Sequence, residues 1–261
     1  MGAPRTFRTE GVVIRYSDIG EADRIVTLLT PHYGKLRALA RGIRRARARL
    51  AGHLDSCCRS ELLLAEGREL PVVASALLVN GYARLRQDLH LTSYALYLLE
   101  LADRFSEEQL ENWPLYQLVV RTLDALEAGA PGELLLRHFE LQLLKVSGFL
   151  PSLRFCLVCQ QEIEPGENWF GPQGVTCPAC PPDAASRPVS TTALKVMRFL
   201  ARAGLDEAVR LRPTTATLRE LEGHLQRAVR IVAERELKSA DFLQQVRRQA
   251  SEGKIVSPAS R

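Results

Sequence analysis

Four cysteines in the second half of the chain have the spacing of a metal site. Cys156 and Cys159 form one C-x2-C pair, and after seventeen intervening residues Cys177 and Cys180 form a second. A tetrahedral ion takes four thiolates at about 2.3 Å, and each tight C-x2-C turn can direct two sulfurs at one centre. Four sulfur ligands leave no open position for water, so the spacing predicts one structural zinc ion. Two disulfides or an iron–sulfur cluster are the alternatives, and disulfides are uncommon in cytosolic proteins.

Other residues that could do chemistry form no recognisable catalytic motif. Cys57 and Cys58 are adjacent, so on a strand they would point to opposite faces, and we expect small buried thiols. Glu21 and Asp23 are fewer carboxylates than a metal-dependent nuclease needs, and a turn or cap role is the simpler interpretation. The sequence has no P-loop, GxGxxG, HExxH or GxSxG pattern. We therefore expect no enzyme and no small-molecule substrate.

Basic residues are concentrated in the first third of the chain. Residues 1–80 carry 13 Lys and Arg against 8 Asp and Glu, whereas the rest carries 22 of each sign. Seven basic side chains and no acid fall within residues 35–49. This imbalance favours a nucleic-acid or phosphate partner over a merely solvated loop. The candidate DNA contacts are Lys35, Arg37, Arg41, Arg44, Arg45, Arg47 and Arg49.

Five short strands are predicted around these basic residues. The β-branched and apolar runs are Glu10–Tyr16, Arg24–Thr30, Lys35–Arg41, Ser60–Leu64 and Leu70–Leu78. Their number and the length of the segment fit a five-stranded oligonucleotide-binding barrel, the OB-fold. On the third strand, side chains alternate between two faces. Alternation places Lys35, Arg37 and Arg41 together on the face turned away from Leu36, Ala38 and Ala40.

The barrel segment offers few aromatic side chains for stacking on bases. Only Phe7, Tyr16 and Tyr33 occur in residues 1–80. Phosphate contact should therefore dominate over base stacking, and such a surface reads little sequence. We expect Arg44, Arg45, Arg47 and Arg49 to form a mobile arm beside the barrel.

Most of the remaining chain is predicted to be helical. Apolar residues recur at helical spacing over Leu85–Phe105 and Glu133–Ser147, and again over Ala193–Ala203 and residues 218–232. Between the second and third of these helices, Pro, Gly and the four spaced cysteines are concentrated.

Together these elements predict an α+β multidomain protein. The barrel would occupy residues 1–80, followed by a helical domain at 81–150 that continues at 189–249. The four-cysteine zinc module would be inserted at 151–188, and 250–261 would be a flexible tail. The 261 residues are 46% hydrophobic and 25% charged, without an apolar run of 18 residues or a secretory leader. We therefore expect a cytoplasmic protein with no membrane partner.

Several segments of the chain together form a family pattern. The first block comprises residues 9–16, 20–30, Gly34-Lys35 and 40–45. The pattern continues at 97–101, at 148–153 leading into the first cysteine pair, and at 237–243. In these blocks and in their order, over nearly the whole chain, the sequence resembles the RecO family of bacterial DNA repair proteins. After Arg45 many relatives continue with lysine, serine and an aromatic residue, whereas this chain continues Ala46-Arg47-Ala48-Arg49.

The resemblance implies a function beyond what spacing predicts. RecO-like proteins have an N-terminal OB-fold and a helical domain that often carries a zinc module. They bind single- and double-stranded DNA and anneal complementary strands. With RecR they help load RecA onto DNA covered by single-stranded-DNA-binding protein, and they contact the C-terminal tail of that protein. The resemblance therefore implies a DNA-binding recombination mediator associated with the nucleoid.

Two other functions remain open from the residues alone. One is a zinc-containing interaction adaptor whose basic segment docks acidic partner tails. The other is a nuclease that uses Glu21 and Asp23. Incubation with magnesium and labelled DNA would test the second. A truncation at residue 80 would test the first, because it should keep DNA binding if the chain is a DNA-binding mediator and lose partner binding if the chain is an adaptor.

Overall fold

The chain forms two compact units. The computed structural model describes residues 5–233 and 238–251. Of these residues, the first unit comprises 5–127 and 238–251, and the second comprises 128–233. Each unit buries a hydrophobic core of its own.

The first unit contains a five-stranded barrel. Its strands are β1 (Thr6–Ile19), β2 (Asp23–Thr30), β3 (Gly34–Ala40), β4 (Arg59–Ala65) and β5 (Val72–Asn80). Their order around the barrel is β1-β2-β3-β5-β4, and β4 pairs back with β1. Neighbouring strands are antiparallel except β3 and β5, which pair in parallel at Leu39 and Val72. This five-stranded topology is that of an OB-fold, so the predicted barrel is confirmed.

The alternation predicted for β3 explains how this strand enters the barrel. Leu36, Ala38 and Ala40 are buried in the barrel core, together with apolar residues from the other four strands. The intervening residues lie on the outer face and are only half-buried. A period of two in the sequence therefore sets one face of the strand inward.

Four helices belong to the same unit as the barrel. They are α1 (Ala83–Gln87), α2 (Leu89–Arg104), α3 (Trp113–Glu127) and α8 (Lys238–Ser251). The prediction of one helix over Leu85–Phe105 is wrong at its start, because Asp88 ends α1 and caps α2. The Asp88 side chain accepts hydrogen bonds from the N–H groups of His90 and Leu91. Helix α2 packs against β1, α3 and α8.

The α2–α3 connection is fastened to the start of β3. The N–H of Lys35 donates to the carbonyl of Glu107 over 3.2 Å, and the N–H of Gln109 donates to the carbonyl of Lys35 over 3.0 Å. Gly34 has a positive φ of 57°, and a Cβ at this position would lie 1.9 Å from the carbonyl oxygen of Leu110. Only glycine fits there, because it lacks both the clash and the left-handed strain.

The second unit combines helices with a small sheet. It contains α4 (Gly132–Val146), β6 (Asn168–Gly171), β7 (Gly174–Thr176), β8 (Arg187–Val189), α5 (Thr191–Arg202), α6 (Leu205–Ala208) and α7 (Thr215–Ala233). The sheet order is β7-β6-β8. Ser190 caps α5 by accepting a hydrogen bond from the N–H of Ala193.

The cysteine-containing segment shares its core with these helices. Ile163, Phe170 and Val175 from the segment are buried in one cluster with Met197 of α5 and Leu225 of α7. The segment is therefore packed on the helices of its unit, not attached as a separate bead.

The predicted C-terminal tail and the predicted domain boundaries are tested by the structure only in small part. Residues 250 and 251 of the predicted tail belong to α8, and the remainder, 252–261, lies outside the described residues. The predicted domain boundaries at 80, 150, 188 and 249 follow changes of element type and stay predictions. Among the described residues, no helix is long and apolar enough to span a bilayer.

Candidate metal centre and nucleic-acid interface

The fold brings the four spaced cysteines together. One sulfur from each of Cys156, Cys159, Cys177 and Cys180 lies within 4.8 Å of the other three. The Sγ atoms of Cys159 and Cys177 are 3.8 Å apart. Metal–sulfur bonds of about 2.3 Å in a tetrahedron place the sulfurs about 3.8 Å apart. The donor set therefore has the number, chemistry and spacing of a closed thiolate metal site.

Backbone hydrogen bonds shape the two cysteine turns. The N–H groups of Val158 and Cys177 each point to Sγ of Cys156 over 3.4 Å. The N–H of Leu157 donates to the carbonyl of Val175 over 2.9 Å, which ties the first cysteine turn to β7. Main-chain hydrogen bonds thus connect the two cysteine pairs and hold them in place. The convergence of their sulfurs is what the C-x2-C spacing predicts.

The thiols differ in how easily they lose a proton. Burial opposes the charged form of Cys156, but hydrogen bonds from nearby N–H groups outweigh it and lower its pKa to about 6. Hydrogen bonding with Cys177 raises the pKa of Cys180 to about 12. One thiolate is therefore already favoured at neutral pH, and a cation would favour the others.

The metal site is tied to helix α5 and carries little basic charge. Arg198 of α5 donates to the carbonyl of Leu153 over 2.7 Å and to that of Ile163 over 3.2 Å. Arg154 forms an exposed ion pair with Glu162 over 3.0 Å. These contacts favour a role in holding the second unit together over contact with a polyanion.

The basic segment predicted from the sequence lies between β3 and β4. We define it as residues 41–49, at the start of a turn-rich connection that runs to residue 58. Its five arginines are exposed. They are Arg41, Arg44, Arg45, Arg47 and Arg49. The connection is fixed to the barrel core by the buried side chains of Ile43 and Leu54 and by the partly buried Leu50. The expected mobile arm is thus a connection anchored at three points.

The two basic residues of β3 have different surroundings. The ammonium of Lys35 donates to the carbonyl of Asp103 over 2.8 Å and lies 3.3 Å from its carboxylate. The Lys35 side chain is only 17% exposed. Arg37, two residues further along, is half-buried on the same outer face. The structure therefore does not bring Lys35 together with the exposed arginines, because Lys35 contacts the C-terminal end of α2 and the connection that follows it.

Two family models match the chain. The model described as "Recombination protein O N terminal" covers residues 3–82, and "Recombination protein O C terminal" covers residues 86–241. The chain belongs to the RecO family. A DNA repair protein RecO from Roseiflexus sp. (strain RS-1) is 40% identical over 263 residues, covering 98% of this chain and 93% of the relative. That of Dehalococcoides mccartyi (strain BAV1) is 35% identical over 249 residues, covering 95% and 98%.

The resemblance stated from the sequence is confirmed by these matches. RecO proteins are DNA repair and recombination mediators. Asp23 is the first residue of β2, where its Oδ1 accepts the N–H of Gly42 over 2.7 Å. This contact is of the turn or cap kind expected for Asp23.

Cys57 and Cys58 are buried, as expected, but not on a strand. Cys57 has a positive φ of 69° and β4 begins only at Arg59. The Sγ of Cys58 contacts the guanidinium of Arg86, and burial raises the pKa of both thiols. The premise that they alternate on a strand is therefore wrong, although neither lies among the metal ligands.

One further exposed arginine of this RecO-family chain escaped the sequence reasoning. Arg68 lies in the β4–β5 connection. The end of that connection meets β3, where the N–H of Leu39 donates to the carbonyl of Pro71 over 2.8 Å. OB-folds bind oligonucleotides through the face of strands 2 and 3 and the β1–β2 and β4–β5 loops. Applying that rule to the predicted barrel would have added Arg68.

Proposed function

We propose that this chain is a RecO-type mediator that binds single- and double-stranded DNA through the basic segment and anneals complementary strands. With RecR it would help load RecA onto DNA covered by single-stranded-DNA-binding protein, whose C-terminal tail it would contact. The observation that carries the proposal is the set of five exposed arginines anchored at one end of an OB-fold. Backbone phosphates are the natural ligands of such a surface.

Charge at the opposite end of β3 supports this assignment. The connection fastened there carries the exposed acids Glu107, Glu108 and Glu111. β3 spans seven residues, or roughly 23 Å, between these acids and the start of the basic segment. This distance exceeds the screening length of about 8 Å at physiological salt, so the two ends act separately on a polyanion. DNA is therefore attracted to the arginine end and repelled from the other.

A salt titration of oligonucleotide affinity tests the DNA surface. Each phosphate contact on single strands contributes about 0.7 to the slope of log affinity against log salt. Replacing Arg45, Arg47 and Arg49 by alanine should therefore lower the slope by about 2. A control that replaces the exposed Arg121, Arg210 and Arg219 removes the same charge elsewhere.

The control should leave the slope within about 0.3 of the wild type. Equal slopes in both variants would place the DNA surface elsewhere. Strand annealing should fall in parallel with the lost contacts, because annealing needs two neutralised backbones and no nucleotide hydrolysis.

We further propose that the metal is zinc, one ion held by Cys156, Cys159, Cys177 and Cys180. Four-cysteine sites of this spacing typically hold zinc, and the 3.8 Å between the sulfurs of Cys159 and Cys177 suits its tetrahedral preference. Mass spectrometry under non-denaturing conditions should find one ion per chain. Iron or a disulfide in protein purified without oxidant would contradict zinc.

A second function, docking of partner proteins, is favoured by apolar side chains around the first cysteine turn. Phe155, Leu157 and Val158 are exposed, Val158 to 57%. An adaptor would use such a surface for a partner and the basic segment for an acidic tail. Competition decides between the functions. An acidic tail peptide that binds but does not displace DNA would separate the two sites, whereas displacement would assign both ligands to the basic segment.

A further inference from the structure

The basic segment is hydrogen-bonded to the β1–β2 turn. Oδ1 of Asp23 accepts the N–H of Gly42 over 2.7 Å. Two residues later, the N–H of Arg44 donates to the carbonyl of Ala22 over 3.0 Å. Gly42 has a positive φ of 65°, so the chain turns sharply where Asp23 holds it. The first turn of the basic segment is thus fixed by residues 22 and 23.

The same turn also holds a side chain of the basic segment. Nη1 of Arg44 donates to the carbonyl of Gly20 over 3.2 Å, and its Nε lies 3.4 Å from Oδ2 of Asp18. Asp18 is shared with Arg24, whose Nε donates to it over 2.8 Å. The hydrogen bond from Arg24 lowers the pKa of Asp18, so this carboxylate stays charged. Two acids beside the arginines therefore have specific partners within the protein.

We propose that Asp23 is a positioning residue for DNA binding: the hydrogen bond that its side-chain oxygen accepts fixes the start of the basic segment and strengthens binding, although the negative charge of the carboxylate repels phosphates. The proposal rests on the proposed function of the basic segment. If Asp23 had no positioning role, removing its side chain should raise the affinity for DNA, because removing a negative charge beside phosphates ordinarily raises affinity.

Two substitutions at one position separate the two effects. Asp23→Asn removes the charge but keeps a carbonyl oxygen that can accept the N–H of Gly42. Asp23→Ala removes both the charge and the acceptor. A control pair, Glu21→Gln and Glu21→Ala, makes the same changes at an exposed acid of the same turn. No hydrogen bond or ion pair involves the Glu21 side chain among the described residues.

Affinity for a fluorescent single-stranded oligonucleotide is the first measurement. Asp23→Asn should bind at least as tightly as the wild type. Asp23→Ala should bind about fivefold more weakly than Asp23→Asn, the worth of one lost backbone hydrogen bond. Both Glu21 variants should bind alike. The proposal would be overturned if Asp23→Asn and Asp23→Ala bound the oligonucleotide with equal affinity. It would also be overturned if Asp23→Ala bound more tightly than Asp23→Asn.

Trypsin cleavage of the full chain is the second measurement and needs no DNA. Cleavage after Arg41, Arg44, Arg45, Arg47 and Arg49, followed by mass spectrometry, reports how firmly the segment is held. Asp23→Ala should be cut there about fivefold faster than Asp23→Asn, with cleavage after Arg219 unchanged as an internal reference.

The outcomes separate the two proposals. If replacing Arg45, Arg47 and Arg49 leaves DNA binding intact, the proposed function of the segment fails, whatever the Asp23 variants do. If that replacement weakens binding but the two Asp23 variants match in affinity and in cleavage, only the positioning role fails. Faster cleavage of Asp23→Ala without weaker binding would show that the turn holds the segment but not for DNA, which also overturns the positioning role.

Discussion

Replacing one metal ligand, Cys159, gives the sharpest test of the metal centre. Cys159 is exposed, whereas Cys156 is buried in the core of the second unit. Cys159→Ser therefore removes a metal ligand without opening a cavity. A serine hydroxyl stays protonated at neutral pH and is a poor substitute for a thiolate. The loss measured with this variant is the contribution of the metal and not of packing.

The expected loss of stability in Cys159→Ser depends on the length of the loop that the metal closes. Seventeen residues separate Cys159 from Cys177. Treated as a cross-link, a bond across a loop of this length restricts the unfolded chain by about 3 kcal/mol. For a unit of this size that corresponds to a fall in melting temperature of about 10–20 °C.

Calorimetry and metal analysis measure the two parts of the prediction. Wild-type protein should carry one ion and lose it, together with thermal stability, on treatment with a strong chelator. Cys159→Ser should melt near the chelated wild type and should respond little to chelator. Cys58→Ser is the matched control, because it replaces a thiol that lies outside the metal set and should retain the ion.

Wild-type behaviour of Cys159→Ser would contradict a metal site formed by the four cysteines. A Cys159→Ser protein that holds one ion at wild-type affinity and melts within about 1 °C of the wild type would show that the cysteines do not form the site. Wild-type protein that is free of metal and insensitive to chelator would lead to the same conclusion.

Three further predictions concern single residues. Burial lowers the pKa of His138, so as the pH falls the unfolded chain protonates this histidine at a higher pH than the folded chain does. Its contribution to stability is present above about pH 6.5 and lost below, and His138→Gln should flatten that loss in melts from about pH 8 to 5. Gly34→Ala should cost at least about 3 kcal/mol in urea unfolding, against about 1 for Gly20→Ala, whose Cβ meets nothing within 4 Å. Lys35→Met should lower stability through the lost pair with Asp103 but leave the salt slope of DNA binding unchanged, whereas a fall of about 0.7 would make Lys35 a phosphate contact.

Local patterns in the sequence predict most of the fold and the metal centre. The alternation of β3 and the C-x2-C spacing each concern neighbouring residues, so the physics that decides them is contained in a short window. Asp88 is a similar case, since an N-cap residue followed by a helical run signals a new helix, and the prediction of a single helix ignores that signal.

Contacts between distant residues are what the sequence does not reveal. Lys35 meets Asp103 across 68 positions, and nothing near either residue indicates the other. The pairing depends on α2 packing over the barrel, which depends in turn on where the whole of α2 lies. Arg37 and Lys35 look equivalent in the sequence. Their surroundings differ because Lys35 contacts Asp103 at the end of α2.

The aromatic residues of the barrel bear on how the proposed DNA surface would work. Phe7 and Tyr33 pack against each other, with their ring centroids 4.9 Å apart. The guanidinium of Arg24 lies 3.7 Å from the ring centroid of Tyr16, so that ring has a protein partner as well. Each aromatic side chain of residues 1–80 is thus engaged within the protein. Single-strand binders that hold bases by stacking offer such rings to the nucleic acid. Tyr16 and Tyr33 are exposed to 41% and 39%, but each ring already contacts a protein group. We therefore expect arginine–phosphate contacts to carry most of the affinity, and bases on a bound strand would stay available to pair with a second strand.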